Sequence, residues 1–62
     1  MLGFIRVATI DGDVFDINTG QITKVEHDWE NERLILSLSD NSSITVPQET
    51  WRELRKELYG VF

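Results

Sequence analysis

Cysteine is absent from this chain of 62 residues, and histidine and proline each occur only once. The chain therefore forms neither disulfides nor thiolate zinc sites, and a single histidine disfavours a histidine-based zinc site. A domain of this length buries only about 60% of the surface that its unfolded chain exposes, so it usually needs additional stabilisation. Oligomerisation is the remaining common source of that stabilisation. We expect self-association, and no metal or cofactor.

Basic residues are also scarce: six stand against eleven acidic residues, which gives a formal net charge of −5. This balance disfavours direct binding of DNA or RNA, because phosphate contacts require cations. It leaves room for a basic protein partner. The N-terminal segment lacks the pattern of a signal peptide, and no apolar run approaches the length of about 20 residues that spans a membrane. We therefore expect a cytoplasmic protein with no membrane association.

Turn signals divide the first three quarters of the chain into five segments that are rich in β-branched and aromatic residues. The predicted turns are Asp11–Gly12, Asn18–Gly20, Glu30–Asn31 and Ser39–Asn41. The last is a three-residue loop, because a two-residue loop would turn Ile44 and Val46 to the wet side of the sheet. This choice also puts Asn41 in the left-handed conformation, which asparagine tolerates.

These turns fix which side chains share a face of the sheet. The first pairs Ala8 with Phe15, the third pairs His27 with Leu34, and the last pairs Leu36 with Ile44. The core face predicted from all four turns comprises Phe4, Ala8, Ile10, Phe15, Ile17, Val25, Leu34, Leu36, Leu38, Ile44 and Val46.

The C-terminal segment predicts one helix that covers this face. Pro47 ends the last strand and suits the first turn of a helix. Trp51, Leu54 and Leu58 follow the spacing of one helical stripe, and Gly60 suits a left-handed C-terminal cap. We predict a single α+β domain over residues 1–62: a five-stranded antiparallel β-meander with one C-terminal α-helix packed on one face. An open sheet and a small, partly open barrel both fit the pattern.

The opposite face of the predicted sheet carries an unexplained set of apolar residues. They are Ile5, Val7, Val14, Ile22 and Ile35. Scattered surface hydrophobes are normal, whereas a contiguous apolar patch marks an interaction site. The sequence therefore favours a small non-enzymatic protein-interaction module that self-associates, as a homodimer, through the open sheet face.

The third segment alternates acidic residues with the single histidine. Glu26, Asp28 and Glu30 lie on one strand face, which is typical of a solvated surface that discourages aggregation. The alternative is an acidic ridge on an inhibitor that mimics a nucleic acid and blocks a DNA- or RNA-binding protein, as in mobile genetic elements. His27 points to the other face, so these carboxylates cannot pair with it. It is interpreted as a half-buried residue at the rim of the core, and no catalytic residue is predicted.

Overall fold

Five strands and one helix make up the fold, which was obtained as a computed structural model that describes residues 3–59. The strands are β1 (Phe4–Ala8), β2 (Val14–Asn18), β3 (Ile22–Asp28), β4 (Arg33–Leu38) and β5 (Ser43–Pro47), and the helix is α1 (Trp51–Tyr59). Short 3₁₀ turns at Thr19–Gln21, Trp29–Asn31 and Gln48–Thr50 join β2 to β3, β3 to β4 and β5 to α1. The cap predicted at Gly60 lies outside the described residues.

The predicted fold class is confirmed: the chain is an α+β protein with five antiparallel strands followed by one C-terminal helix. The strands form two sheets, β1-β2 and β3-β4-β5, and these are not closed into a barrel. The predicted hairpin between β2 and β3 is wrong. Thr19 explains why: its side chain is 2% exposed, and its hydroxyl donates to the Gly3 carbonyl at 2.9 Å. This bond holds the turn against the start of β1, and the chain then crosses to the second sheet.

The first hairpin differs from the prediction by one residue. Its loop has three residues, Ile10–Gly12, because Thr9 N–H donates to the Asp13 carbonyl at 2.8 Å and Gly12 N–H to the Thr9 carbonyl at 3.0 Å. Gly12 adopts φ 94°, in the left-handed region that glycine tolerates best. Since a shift of one residue turns the side chains of β1 to the opposite face, the predicted core face is wrong for β1. The orientation of β2 is unchanged, and Ile17 packs against the core as predicted.

The shifted register pairs Val7 with Phe15 and Ile5 with Ile17. Ile5 and Val7 consequently enter the core, where they are 9% and 2% exposed. Four residues that were predicted in the core are instead exposed: Phe4, Ala8, Ile10 and Phe15.

The two later registers are confirmed. His27 lies opposite Leu34, and Leu36 lies opposite Ile44. Asn41 adopts φ 71°, as predicted for the last loop. At the β3–β4 turn the left-handed residue is Glu32, with φ 55°. Compared with the predicted turn at Glu30–Asn31, the loop gains one residue from each strand. The pairing of β3 with β4 stays as predicted.

The core lies between the three-stranded sheet and the elements that cover its inner face. Its buried apolar residues are Ile5, Val7, Leu34, Leu36, Val46 and Leu54. Trp51 and Leu58 pack beside them while remaining partly exposed, so the predicted helical stripe is confirmed. The β1-β2 hairpin and α1 therefore contribute to one shared core, and the helix does not cover the sheet alone.

Threonine substitutions at two valines test this register, because threonine keeps the β-branched shape. We expect Val7→Thr to lower the free energy of unfolding by about 1–3 kcal/mol, since it buries a hydroxyl group. Val14→Thr is the matched control at an exposed position of the same hairpin, and it should change the free energy by less than about 0.5 kcal/mol. Urea denaturation measures both values. Equal losses, or a larger loss at Val14, would contradict the register.

Candidate functional site

The five residues predicted to form the interaction patch do not share a surface. Ile5 and Val7 lie in the core, and Ile22 packs against that core while half-buried. Val14 is exposed on the hairpin, whereas Ile35 is half-buried and pairs with Glu26 and Thr45 on the other sheet. The one-residue shift of the first hairpin turns β1 over and so buries Ile5 and Val7. For Ile22 the reason is a β-bulge between Ile22 and Lys24, which interrupts the alternation of side chains along β3. The predicted patch is corrected accordingly.

The same shift creates a different apolar surface, which we call the outer hairpin face. It consists of Phe4, Arg6, Ala8, Val14 and Asp16, all on the side of the hairpin that points away from the core. Phe4 is 70% exposed and Val14 is 61% exposed. Apolar side chains thus occupy both ends of this face, and charged side chains occupy its middle.

Arg6 and Asp16 lie directly opposite each other at the centre of the outer hairpin face. The guanidinium donates from Nε to Asp16 Oδ1 at 2.8 Å, and from Nη2 to Oδ2 at 3.1 Å. These bonds lower the pKa of Asp16 below its usual range. Such a two-pronged pair has fixed geometry and no net charge, so it can lie within a contact surface.

The acidic ridge is less regular than the sequence predicts. Glu26 is exposed on β3, whereas Glu30 lies in the 3₁₀ turn after that strand. Asp28 accepts hydrogen bonds from Asn31 Nδ2 at 3.0 Å and from Arg33 Nε at 2.9 Å. The bond from Asn31 and then the bond from Arg33 lower the pKa of Asp28. The central carboxylate is thus paired within the molecule, which weakens the likeness of this surface to the evenly spaced charges of a polyanion.

His27 is half-buried opposite Leu34, in the position that the sequence predicts. Its ring stacks on Trp29 with centroids 4.9 Å apart, and it meets Trp51 edge-on at 4.6 Å. Its Nδ1 is buried without a hydrogen-bond partner among the described residues. His27 therefore packs here as an aromatic ring that holds two indoles in place.

The two tryptophans line an open cleft that the sequence did not predict. Trp29 lies in the turn after β3 and is 63% exposed. Trp51 lies across the cleft at the start of α1, and the cleft volume is about 480 Å³. One feature of the sequence could have indicated this cleft: one tryptophan lies just before β4 and the other lies just after β5. No local pattern in the sequence indicated the longer turn that brings Trp29 out of the strand.

Within residues 3–59, no group of three or more histidine or acidic side chains is placed to hold a metal ion. In that same part of the chain, no helix has the length and apolar character needed to cross a membrane. Comparisons with protein-family models, curated proteins and solved structures find no match for this chain. Inferences about function therefore depend on the surfaces described above.

Acidification tests the role of Asp28. Because folding lowers its pKa, its stabilising contribution is present above the unfolded-state value near 4 and is lost as the pH falls through the folded-state value. We expect Asp28→Asn to lower stability at neutral pH and to weaken the loss of stability in acid. Urea denaturation at neutral and acid pH measures this, with Glu26→Gln as the exposed control. An unchanged pH profile for Asp28→Asn would be the contrary result.

Proposed function

We propose that this chain is a non-enzymatic protein-interaction module that self-associates as a homodimer through the outer hairpin face. The observation that carries the proposal is the exposure of Phe4 and Val14 on one side of a two-stranded sheet. Large apolar side chains that are exposed on the same face are available for contact with another chain. Burying them between two copies would supply stabilisation that a chain of 62 residues lacks.

Charge supports a second copy as the occupant of this face. Two chains of net charge −5 repel each other over most of their surfaces. This repulsion is reduced at the outer hairpin face, because Arg6 and Asp16 neutralise each other at its centre. A contact through this face therefore does not bring unpaired acidic side chains of the two strands together.

The arrangement of the face also fits two-fold symmetry. An axis parallel to the strands, midway between β1 and β2, would place Arg6 of one copy over Asp16 of the second copy. The same axis would place Ala8 over Val14, since each of these pairs lies opposite in the hairpin register. Homodimers use such self-complementary surfaces, in which two residues exchange roles between the subunits.

The contact area of the proposed dimer is small. A strand of five residues is about 17 Å long, and two strands are about 10 Å wide with their flanks. This area is smaller than that of a standard interface, which buries about 800 Å² on each partner. We therefore expect a reversible dimer that forms in the micromolar to near-millimolar range.

Sedimentation equilibrium tests the proposed dimer. The wild-type chain should show a concentration-dependent increase in mass, and Phe4→Lys should remain monomeric because it places a charge in the apolar part of the face. Trp29→Lys is the matched control, since Trp29 has similar exposure, 63% against 70%, on another surface. It should dimerise like the wild type. A wild-type chain that is strictly monomeric at near-millimolar concentration would refute the proposal.

Charge reversal tests the symmetry of the contact. Arg6→Asp gives a face with two acidic residues and Asp16→Arg gives one with two basic residues, so each variant alone should lose self-association. Mixed together, they should form a heterodimer, because each acidic residue then meets a basic one. An exposed ion pair contributes only about 0–1 kcal/mol to folding, so both variants should remain folded. Analytical ultracentrifugation of the mixture measures the outcome, and its failure to associate would contradict this symmetry.

A further inference from the structure

The cleft between Trp29 and Trp51 is a second surface with the properties of a binding site. It is formed by the β3–β4 turn, the 3₁₀ turn after β5 and the first half of α1. Gln48 N–H donates to the Glu32 carbonyl at 3.1 Å, and this bond joins the two turns beneath the cleft. Its volume of about 480 Å³ lies within the range of ligand sites in proteins.

The aromatic lining is held in place before any ligand arrives. His27 stacks on one side of Trp29 and meets Trp51 edge-on. Trp51 in turn contacts Tyr59 edge-on, with ring centroids 6.1 Å apart. Because these rings support one another, exposed indole surface is available to a ligand with little loss of side-chain freedom.

The charged side chains that line the cleft form no ion pair with one another or with other residues in the range 3–59. Glu32 and Glu49 line the cleft together with Arg52 and Arg55. The ion pairs among the described residues are Arg6–Asp16, Arg33–Asp28 and Lys56–Glu53, so none of these four side chains takes part in one. Two carboxylates and two guanidinium groups are therefore available to a ligand that carries both signs of charge.

We infer that this cleft binds an extended, proline-containing peptide segment of a partner protein, with a basic and an acidic residue flanking the prolines. Indole-lined grooves accept proline rings because a polyproline II segment is already extended and loses little entropy on binding. The glutamates suit the basic residue of such a segment, and the arginines suit the acidic residue. The open cleft does not enclose a small molecule as most ligand pockets do. The two glutamates and the net charge of −5 also oppose binding of a nucleic-acid strand.

Three synthetic peptides test this inference. The first carries a proline pair flanked by arginine and glutamate. The serine peptide has serine in place of both charged residues, and the glycine peptide has glycine in place of both prolines. Calorimetry and tryptophan fluorescence measure binding to the full chain. We expect the first peptide to bind, the serine peptide to bind several-fold more weakly, and the glycine peptide to bind most weakly. Trp29→Ala should weaken binding of the first peptide by about tenfold or more.

Two further variants separate this inference from a loss of folding and from the proposed dimer. Replacing Arg52 and Arg55 by glutamate should weaken binding of the first peptide and strengthen binding of a peptide in which arginine replaces its glutamate. Misfolding would not reverse a preference in this way. Phe4→Lys, which should abolish the homodimer, should leave peptide binding unchanged.

Three results would overturn the inference. The first is the absence of binding by all the peptides at near-millimolar concentration. The second is equal binding by Trp29→Ala and the wild type, or by the glycine and proline peptides. The third is displacement of the first peptide by a single-stranded oligonucleotide, which would assign the cleft to nucleic acid.

Discussion

The left-handed backbone at Gly12 is the local constraint on which the rest of the structure depends. Its φ of 94° closes a three-residue loop, and that loop sets the register of the whole first hairpin. The register turns Ile5 and Val7 inward, where they join Leu34, Leu36, Val46 and Leu54. Without these two side chains, Leu54 would be the one fully buried apolar residue that the described elements outside the three-stranded sheet contribute to the core. The hairpin is therefore as important to the core as the helix.

The same register also determines which surface is offered to a partner. Since side chains alternate along a strand, burying Ile5 and Val7 leaves Phe4, Arg6 and Ala8 on the outside. The core and the outer hairpin face are thus two consequences of one backbone turn. A small domain with no disulfide can gain stability by covering such a face with a second copy. The small size of the chain is thus a physical reason for the self-association that we propose.

The second half of the fold could be predicted from the sequence because several local signals agree there. Asn41 tolerates positive φ, and only the three-residue loop places Ile44 and Val46 on the same face as Leu34. The helical stripe begins soon after Pro47 and needs no long-range information. Each of these local patterns restricts the register of the adjacent strand or helix. An error in one register would therefore have placed apolar residues of the next element on the wrong face.

The first hairpin could not be predicted in this way, because its local signals are ambiguous. Asp11 and Gly12 suit both a two-residue turn and a three-residue loop that ends in glycine. Apolar residues occupy both faces, so the hydrophobic pattern does not select between the registers. Long-range contacts stabilise the observed register: Thr19 bonds to Gly3 across the chain, and Ile10 N–H donates to the Thr45 carbonyl of β5 at 3.2 Å. The cleft escaped prediction for a similar reason, since the turn after β3 takes Trp29 out of the strand.

The central claim is that one register places Val7 in the core and Phe4 on a surface that meets a second copy. Nuclear magnetic resonance spectra recorded over a dilution series of the isotope-labelled chain test both parts together. We expect contacts between the methyl groups of Val7 and Leu34 at every concentration, and concentration-dependent shifts confined to the outer hairpin face. The indole signals of Trp29 and Trp51 should stay constant. Contacts from Ala8 to Leu34 in place of those from Val7, or shifts centred on the cleft, would contradict the claim.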